Sequence, residues 1–282
     1  LTGFILKTSL IIEMIGAALL APVFCNDLGI AKGLWYSLFH SISAFCNAGF
    51  DLFGIKEPFS SLTFYHSNIY LNNVIILLII TGGIGFLVWG DIGTHKYRIR
   101  RFSLQSKVVL MTSAVLIVLP ALYFFFYEYN RETIHDRTIH SLFQSVTTRT
   151  AGFNTTDLAA MDESGTAIMI ILMLIGGSPG STAGGMKTTT FAVLFLSAIT
   201  VLSRRNDVQC FKRRISDEAV RSAGAVLFMY LVLFFTSGII ISRVENLPLL
   251  TCLFETSSAI GTVGLSLGIT SSLSAVSRVI LM

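Results

Sequence analysis

Long apolar runs alternate with short polar segments along most of this chain. A membrane-crossing helix needs about 20 mostly apolar residues. Four complete runs meet this requirement, at 3–24, 69–91, 107–127 and 222–242. A fifth, 164–202, is too long for one crossing and is interrupted by the stretch GGSPGSTAGG, and a sixth begins near 275. The hydropathy pattern therefore predicts a protein built mainly from membrane helices.

Three shorter apolar segments lie between these spans, at 34–46, 138–149 and 247–260. Apolar runs of about 10 to 14 residues are more often re-entrant than spanning. Each leads into a polar stretch with a lone glycine, and these stretches read FHSISAFCNAGFD, FQSVTTRTAGFN and FETSSAIGTVGLS. The glycines lie 103 and 112 residues apart, at Gly49, Gly152 and Gly264. The pattern predicts a repeated unit of span, half-length helix, glycine loop and span.

Composition and charge agree with a membrane protein. Of the 282 residues, 53% are hydrophobic and 13% are charged, whereas a soluble domain carries about 25% charged residues. The four cysteines form no CxxC pair, so they predict neither a metal site nor a disulfide framework. No cofactor site is expected in this chain.

The placement of Lys and Arg predicts the orientation of the spans. Segment 95–107 carries five basic residues and no acidic one, and 203–221 carries six basic residues. Basic loops favour the cytoplasm, so both segments should face it, and the glycine loops should dip in from outside. Between membrane spans, these basic runs do not indicate nucleic-acid binding.

The glycine loops are the main candidates for function. Non-helical backbone at membrane depth is tolerated where it is buried or lines a watery cavity. Carbonyl groups lining such a cavity can replace the hydration shell of an ion, and glycine permits the positive φ that this arrangement needs. The carboxyl end of each half-length helix would add a partial negative charge. The alternative, that these glycines are ordinary packing or C-cap positions, is weakened by their threefold recurrence.

The chain resembles the Trk/Ktr/HKT superfamily of potassium transporters, and most closely its bacterial Ktr/Trk-type membrane subunits. Four motifs carry the resemblance: SAFCNAGF (43–50), TTRTAGFN (147–154), SSAIGTVGL (257–265) and GGSPGSTAGGMKT (176–188). The resemblance implies an all-α integral membrane fold. Its membrane–pore helix–membrane repeats would surround a central pore, as in a potassium channel. The repeats would divide this chain at 1–91, 92–202 and 203–282.

The same resemblance implies that one glycine per repeat forms a potassium filter, with backbone carbonyls as ligands. The third filter segment echoes a channel filter, but Leu265 follows it where a channel has Tyr. The implied filter consists of three short segments, called here the first, second and third glycine loops: Asn47, Ala48 and Gly49; Thr150, Ala151 and Gly152; Thr262, Val263 and Gly264.

The interruption at 176–185, called here the gating loop, contains five glycines and Pro179, which break a helix. It should lie on the cytoplasmic side of the filter, and the resemblance implies that it obstructs the pore there. The predicted gate comprises Gly176, Gly177, Ser178, Pro179, Gly180, Ser181, Thr182, Ala183, Gly184, Gly185 and Lys187. Lys187 has three interpretations: a fixed charge under the pore, a side chain that reaches the cytoplasmic surface, or the partner of a carboxylate.

Other polar residues in membrane segments have structural interpretations. Glu13 lies within the first span, where we expect it to pair with a neighbouring helix. Arg149 precedes Thr150, and we expect it to point behind the filter and to pair with an acid such as Glu255. His40 and Gln144 are expected to be hydrogen-bonded polar groups of the half-length helices.

The sequence thus predicts potassium uptake across the cell membrane, bacterial by resemblance, through a gated, channel-like pore. Potassium is the expected cargo and sodium a candidate activator. The resemblance implies a homodimer in membrane lipid that sits on a cytoplasmic ring of nucleotide-binding regulatory subunits. Two alternatives are a secondary transporter with broken helices and, more weakly, an intramembrane enzyme. Because the family has four repeats, we expect another glycine loop about 100 to 120 residues before Gly49, if the period holds, and more of the last helix after Met282.

Overall fold

The computed structural model describes residues 2–55, 58–96, 98–205, 207–211 and 213–282. Lys212, one of the six basic residues in 203–221, lies outside them. Within the described residues, three helices are long and apolar enough to cross a membrane. They are α1 (Thr2–Leu28), α5 (Leu104–Tyr123, continued by a π-helical turn at Phe124–Glu128) and α9 (Asp217–Glu245). They confirm three of the four complete spans.

The fourth predicted span, 69–91, is wrong as a single straight crossing. Helices α3 (Ile69–Gly83) and α4 (Phe86–His95) meet at an angle of 94°. Gly85 separates them with φ of 92°, which other residue types rarely adopt. The apolar run continues through this bend, so hydropathy alone does not reveal it.

The interruption of the fifth run is confirmed. Helix α7 (Glu163–Leu174) ends before the gating loop and α8 (Thr188–Leu202) begins after it. With 12 and 15 residues, each is shorter than the length required to cross alone.

The three half-length segments are also confirmed as helices. They form α2 (Ile30–Phe45), α6 (Ile134–Thr147) and α10 (Leu249–Ile260), called here the pore helices. Each ends just before its glycine loop. The negative ends of three helix dipoles therefore lie beside these loops.

The remaining elements are short. Helix α11 covers Ala275–Leu281, and single 3₁₀ turns cover Phe53–Ile55, Thr63–Tyr65, Ile99–Arg101 and Leu158–Ala160. Strands β1 (Gln209–Cys210) and β2 (Arg213–Arg214) pair antiparallel, with Gln209 opposite Arg214. The sequence pattern did not predict this small hairpin in the second basic segment. The structure is otherwise helical, which confirms the fold class.

Each pore helix packs within its own repeat, and α6 and α10 also pack against the repeat before theirs. Helix α2 contacts α1 and α3, α6 contacts α5 and α3, and α10 contacts α9 and α7. One buried cluster includes Phe24, Phe53 and Phe143, and a second includes Phe124 and Phe254. The first cluster joins α6 to α1, α2 and α3, and the second joins α10 to α5 and α7. The exact boundaries 1–91, 92–202 and 203–282 stay a prediction.

Candidate ion-conduction site

The three glycine loops meet at the centre of the protein. A Cβ atom added to Gly49 would lie 2.5 Å from the carbonyl oxygen of Ala151 and 2.9 Å from the Cα of Gly152. One added to Gly152 would collide with the carbonyl oxygen of Val263. Each of these two glycines thus faces the carbonyl just before the next glycine. Only glycine leaves room for this close approach of backbones.

All three loops share one backbone conformation. The φ angle is positive at the first residue and again at the glycine: 51° and 70° in the first loop, 66° and 83° in the second, 54° and 90° in the third. Positive φ is unusual for a non-glycine residue and strained for a β-branched one such as Thr150 or Thr262. Chains that alternate in this way can turn successive carbonyl groups toward one side. The same strained geometry at the corresponding place in three repeats indicates a shared task.

The middle residue of each loop is tied back to its pore helix. The backbone N–H of Ala48 donates to the Ser43 carbonyl at 2.9 Å, and that of Val263 to the Ser258 carbonyl at 2.8 Å. In the second loop, the Ala151 N–H donates to Thr147 at 3.0 Å. These donors are therefore occupied within their own repeats, and the loops present carbonyl oxygens to one another.

The gating loop is a closed unit of its own. Gly176 N–H donates to the Met186 carbonyl at 2.8 Å, and Gly177 N–H donates to the Gly184 carbonyl at 3.1 Å. At the tip, the Ser181 hydroxyl donates to the Ser178 carbonyl at 2.6 Å. These bonds satisfy backbone groups that would otherwise be costly at membrane depth.

One side of the gating loop docks on the bend between α3 and α4. Ser178 N–H donates to the Gly83 carbonyl at 3.0 Å, and Phe86 N–H donates to the Gly180 carbonyl at 2.8 Å. A Cβ on Gly85 would lie 2.7 Å from the Pro179 carbonyl oxygen. The bend that hydropathy missed is therefore part of the seat of this loop.

The other contacts of the gating loop reach the ends of two pore helices. The Thr182 hydroxyl donates to the Phe45 carbonyl, the last helical residue of α2, at 2.9 Å. On the third repeat, the Thr262 side chain contacts Gly184, and a Cβ on Gly185 would lie 3.3 Å from the Gly261 carbonyl oxygen. The gating loop thus lies against the end of α2 and against the third glycine loop.

Lys187 begins the turn into α8. Its Nζ donates to the Ala183 carbonyl at 2.8 Å, and its side chain is half-buried. No carboxylate pairs with it among the residues that the structure describes. The carboxylate-pairing interpretation is therefore wrong for those residues, and Lys187 stands beside the gating loop as a cation.

The expected pairing of Arg149 with Glu255 is wrong. Arg149 is buried behind the second loop, and its Nη2 donates to the Ser113 hydroxyl at 3.2 Å. Both oxygens of Glu255 instead accept hydrogen bonds from residues 266–270 of their own repeat. The carboxylate is already satisfied there, so charge complementarity alone misled the prediction. Glu13 does contact the neighbouring helix: its Oε1 accepts from the thiol of Cys46, at the end of α2, at 3.9 Å.

A cavity of about 480 Å³ opens on the side of the glycine loops away from the gating loop. All three glycines line it, together with Asp51 and Asp157. Two carboxylates at such a mouth raise the local concentration of cations. Sequence reasoning missed these residues, although both follow their glycines within five positions.

Comparison with known proteins agrees with this geometry. The family model described as "TrkH: Cation transport protein" matches residues 1–282. The chain belongs to the TrkH family. Membership confirms the predicted family and favours a multi-pass membrane transporter over an intramembrane enzyme.

Relatives of known name include the potassium/sodium uptake protein NtpJ of Enterococcus hirae, 38% identical over 99% of this chain and 62% of that protein. Ktr system potassium uptake protein B of Bacillus subtilis is 38% identical over 97% of this chain and 61% of its own length. The chain therefore spans about three fifths of these relatives.

A solved structure shows the same fold. The potassium transporter TrkH from Vibrio parahaemolyticus superposes with a TM-score of 0.72 over 90% of this chain and 53% of that one. The two chains share 17% sequence identity, so the likeness shows the fold alone. It confirms the mostly helical TrkH fold.

Proposed function

We propose that this chain forms most of a channel-like pore for potassium uptake across the cell membrane. The observation that carries the proposal is the meeting of the three glycine loops. In each, φ is positive at the same two positions, and the first two glycines pack against a carbonyl group of the following loop. The names of the two relatives, which specify potassium or potassium and sodium uptake, support the choice of ion.

The nine residues of the three loops would act through their backbones. Carbonyl oxygens would replace water around a dehydrated cation, and the carboxyl ends of α2, α6 and α10 would stabilise its charge. Within the described residues, no cluster of His, Cys, Asp or Glu could hold a tightly bound metal ion. This agrees with weak binding by carbonyls, which an ion must be able to leave.

A fourth loop would complete the ring in the full-length protein. Gly49 and Gly152 each face a neighbouring carbonyl, whereas a Cβ on Gly264 would meet nothing closer than the Gly152 Cα at 3.9 Å. If the order of contacts continues, a carbonyl from a fourth loop would occupy the open side of Gly264. The greater length of the relatives leaves room for such a repeat.

The gating loop would control passage on the cytoplasmic side. It touches the filter at Gly184 and the end of α2 at Thr182, and its small side chains can move without repacking a large core. Lys187 would add a fixed positive charge that opposes cation flow when the loop is in place.

Regulation would come from other subunits. We propose a dimer in the bilayer, docked through the basic segments 95–107 and 203–221 on a ring of nucleotide-binding subunits. One relative is named as part of a Ktr system, which supports an assembly of more than one component. Sodium would act as an activator rather than as a resident cofactor.

The test is uptake by cells that lack their own potassium transporters and express the complete gene. We expect potassium accumulation that saturates and that exceeds sodium accumulation. A second strain expresses the same gene with Gly152→Ser at a matched amount of protein. Its uptake should be lower, because the added side chain should disrupt the filter. Equal uptake by both strains would overturn the filter, and no uptake by well-expressed unaltered protein would overturn the function.

A further inference from the structure

Each pore helix carries one polar residue eight or nine positions before its glycine. These residues are His40, Gln144 and Glu255, with exposed side-chain fractions of 0%, 0% and 4%. Burying a polar group is costly unless it finds a hydrogen-bond partner. In all three cases, at least one partner lies in the chain that follows the glycine.

Glu255 makes the strongest of these connections. Its Oε1 accepts from the Ser266 hydroxyl at 2.7 Å and from the Leu267 N–H at 2.9 Å. Its Oε2 accepts from the Thr270 hydroxyl at 2.6 Å. Three donors to one buried carboxylate form charge-assisted bonds, which are stronger than neutral ones. They fix the segment that directly follows Gly264.

Gln144 connects its repeat in the same way but with fewer bonds. Its Nε2 donates to the Thr156 hydroxyl at 2.6 Å and, over 3.5 Å, to the side-chain oxygen of Asn154. The same Asn154 oxygen accepts from the Thr156 N–H at 3.2 Å. The segment after Gly152 is thereby held as a compact turn.

His40 makes the weakest connection. Its Nδ1 lies 2.7 Å from the Tyr36 carbonyl, to which it donates. This leaves Nε2 as an acceptor, and the Leu52 N–H donates to it over 3.4 Å. Leu52 and Leu267 stand at the same place, three residues after their glycines. Two repeats therefore use the same backbone N–H as the point of attachment.

We propose that His40, Gln144 and Glu255 are positioning residues of the filter. Each ties the outer end of its glycine loop to the pore helix that supports the inner end, so the carbonyls between are held at a fixed spacing. The proposal rests on the proposed function. The hydrogen bonds that hold the segment after the glycine are weakest in the first repeat and strongest in the third. The third loop therefore contributes most to the discrimination between potassium and sodium.

The location of the attached segments adds to this role. Ser266, Leu267 and Thr270 all line the 480 Å³ cavity at the mouth of the filter, as does Asn154. The positioning residues therefore shape the mouth from behind, without contacting the ion. Their loss should alter selectivity more than it alters the amount of folded protein.

The experiment measures potassium and sodium uptake by the complete protein with changes at Glu255. Glu255→Ala should lower the potassium-to-sodium ratio by about tenfold, the equivalent of roughly one hydrogen bond to a charged group. Glu255→Gln keeps one acceptor oxygen, so its potassium-to-sodium ratio should lie between those of the unaltered protein and Glu255→Ala. Ser257→Ala is the matched control, because its buried hydroxyl bonds, within the part of the chain that the structure describes, only to Phe254 of the same helix.

A second set of changes removes the partner without touching the pore helix. Thr270→Val deletes one donor to Glu255, and Thr156→Val deletes the main partner of Gln144. Each should reduce the ratio, and the change at 270 should have the larger effect. Because Thr270 acts through Glu255, combining Thr270→Val with Glu255→Ala should add little to Glu255→Ala alone.

The outcomes separate the inference from the function on which it rests. Potassium uptake with an unchanged ion ratio in both Glu255→Ala and Thr270→Val would overturn the positioning role and leave the pore intact. The absence of potassium uptake by well-expressed unaltered protein would overturn the function and the inference together. A lowered ratio with near-normal amounts of folded protein would support both.

Discussion

The side chain of Thr262, in the third glycine loop, fills the space beside the Cα of Gly184 in the gating loop. Thr262 also has a φ of 54°, so its conformation is strained before any contact is made. The proposed filter and the proposed gate are therefore in contact where the Thr262 side chain lies against Gly184. The contact is possible because Gly184 has no side chain.

Gly184→Ala should damage function by displacing Thr262 and with it the third glycine loop. We expect at least a tenfold drop in the maximal rate of potassium uptake, because relief of so close a contact with the Thr262 side chain typically requires more than about 1.4 kcal/mol. Adding Thr262→Gly should restore part of the activity, since glycine removes the obstructing side chain and accepts the positive φ. The measurement is uptake by cells with matched amounts of each protein. Failure of the second change to restore any activity would count against this contact.

The order of contacts among the glycine loops predicts how alanine affects each. Gly152→Ala meets both a positive φ and the Val263 carbonyl, whereas Gly264→Ala meets only the positive φ among the described residues. In the full-length protein, a fourth loop would supply the missing carbonyl, so both changes should reduce potassium selectivity to a similar extent. Gly224→Ala, at a helical glycine with open space around it, is the control. A mild effect at 264 beside a severe one at 152 would indicate that nothing closes the ring there.

Hydropathy was sufficient to predict the membrane helices and the three pore helices, because both are defined by the length of apolar runs. It failed at 69–91, where the bend at Gly85 leaves the apolar run unbroken. The stretch TGGIG at 81–85 carried the available signal, since paired glycines often mark kinks. The hairpin at 209–214 was missed because two-residue strands leave no periodic pattern.

The sequence was sufficient to predict the candidate site where the site depends on backbone conformation. It was not sufficient where the site depends on which side chains are hydrogen-bonded to each other. Glycine spacing located the three loops, since positive φ restricts the residue type. The partner of Glu255 could not be read from charge, because a buried carboxylate can be satisfied by Ser, Thr and N–H donors as well as by Arg149. The position of Asp51 and Asp157 at one cavity could likewise not be predicted, because it depends on how the loops pack together.

The hydrogen bond of Thr182 should hold the gating loop in the position that obstructs the pore. The Thr182 hydroxyl bonds to the Phe45 carbonyl, which lies at the end of α2 and has no further helical partner. Thr182→Val removes this bond while keeping the shape of the side chain, so the loop should leave its seat more often. We expect a higher maximal rate of potassium uptake with nearly unchanged half-saturation.

The control for this hydrogen bond is Thr200→Val, because among the described residues the Thr200 hydroxyl bonds only to Leu196, within α8. Deletion of part of 178–184 should also raise the maximal rate of potassium uptake, and by more than Thr182→Val does. Abolished uptake by a well-expressed deletion variant would show that the loop is structural, and the gating assignment would then be wrong.

The hairpin at 209–214 offers a direct test of docking by a cytoplasmic partner. Arg214 bonds to Asp207 at 3.0 Å and to Asp217 at 3.3 Å, so reversing its charge would disturb the hairpin itself. Arg213 is exposed on the same strand and makes the cleaner variant. Arg213→Glu should reduce copurification of the nucleotide-binding ring subunit, and the reduction should shrink as salt screens the lost attraction.

Arg131→Glu is the matched control for docking, because Arg131 is exposed on the opposite, extracellular side in the predicted orientation. A ring subunit that copurifies equally with the Arg213 variant at low salt would exclude this strand as the contact. Loss with the Arg131 variant instead would reverse the assigned orientation, since the two residues are expected on opposite sides of the bilayer. The comparison therefore tests the docking surface and the charge-based topology with one pair of proteins.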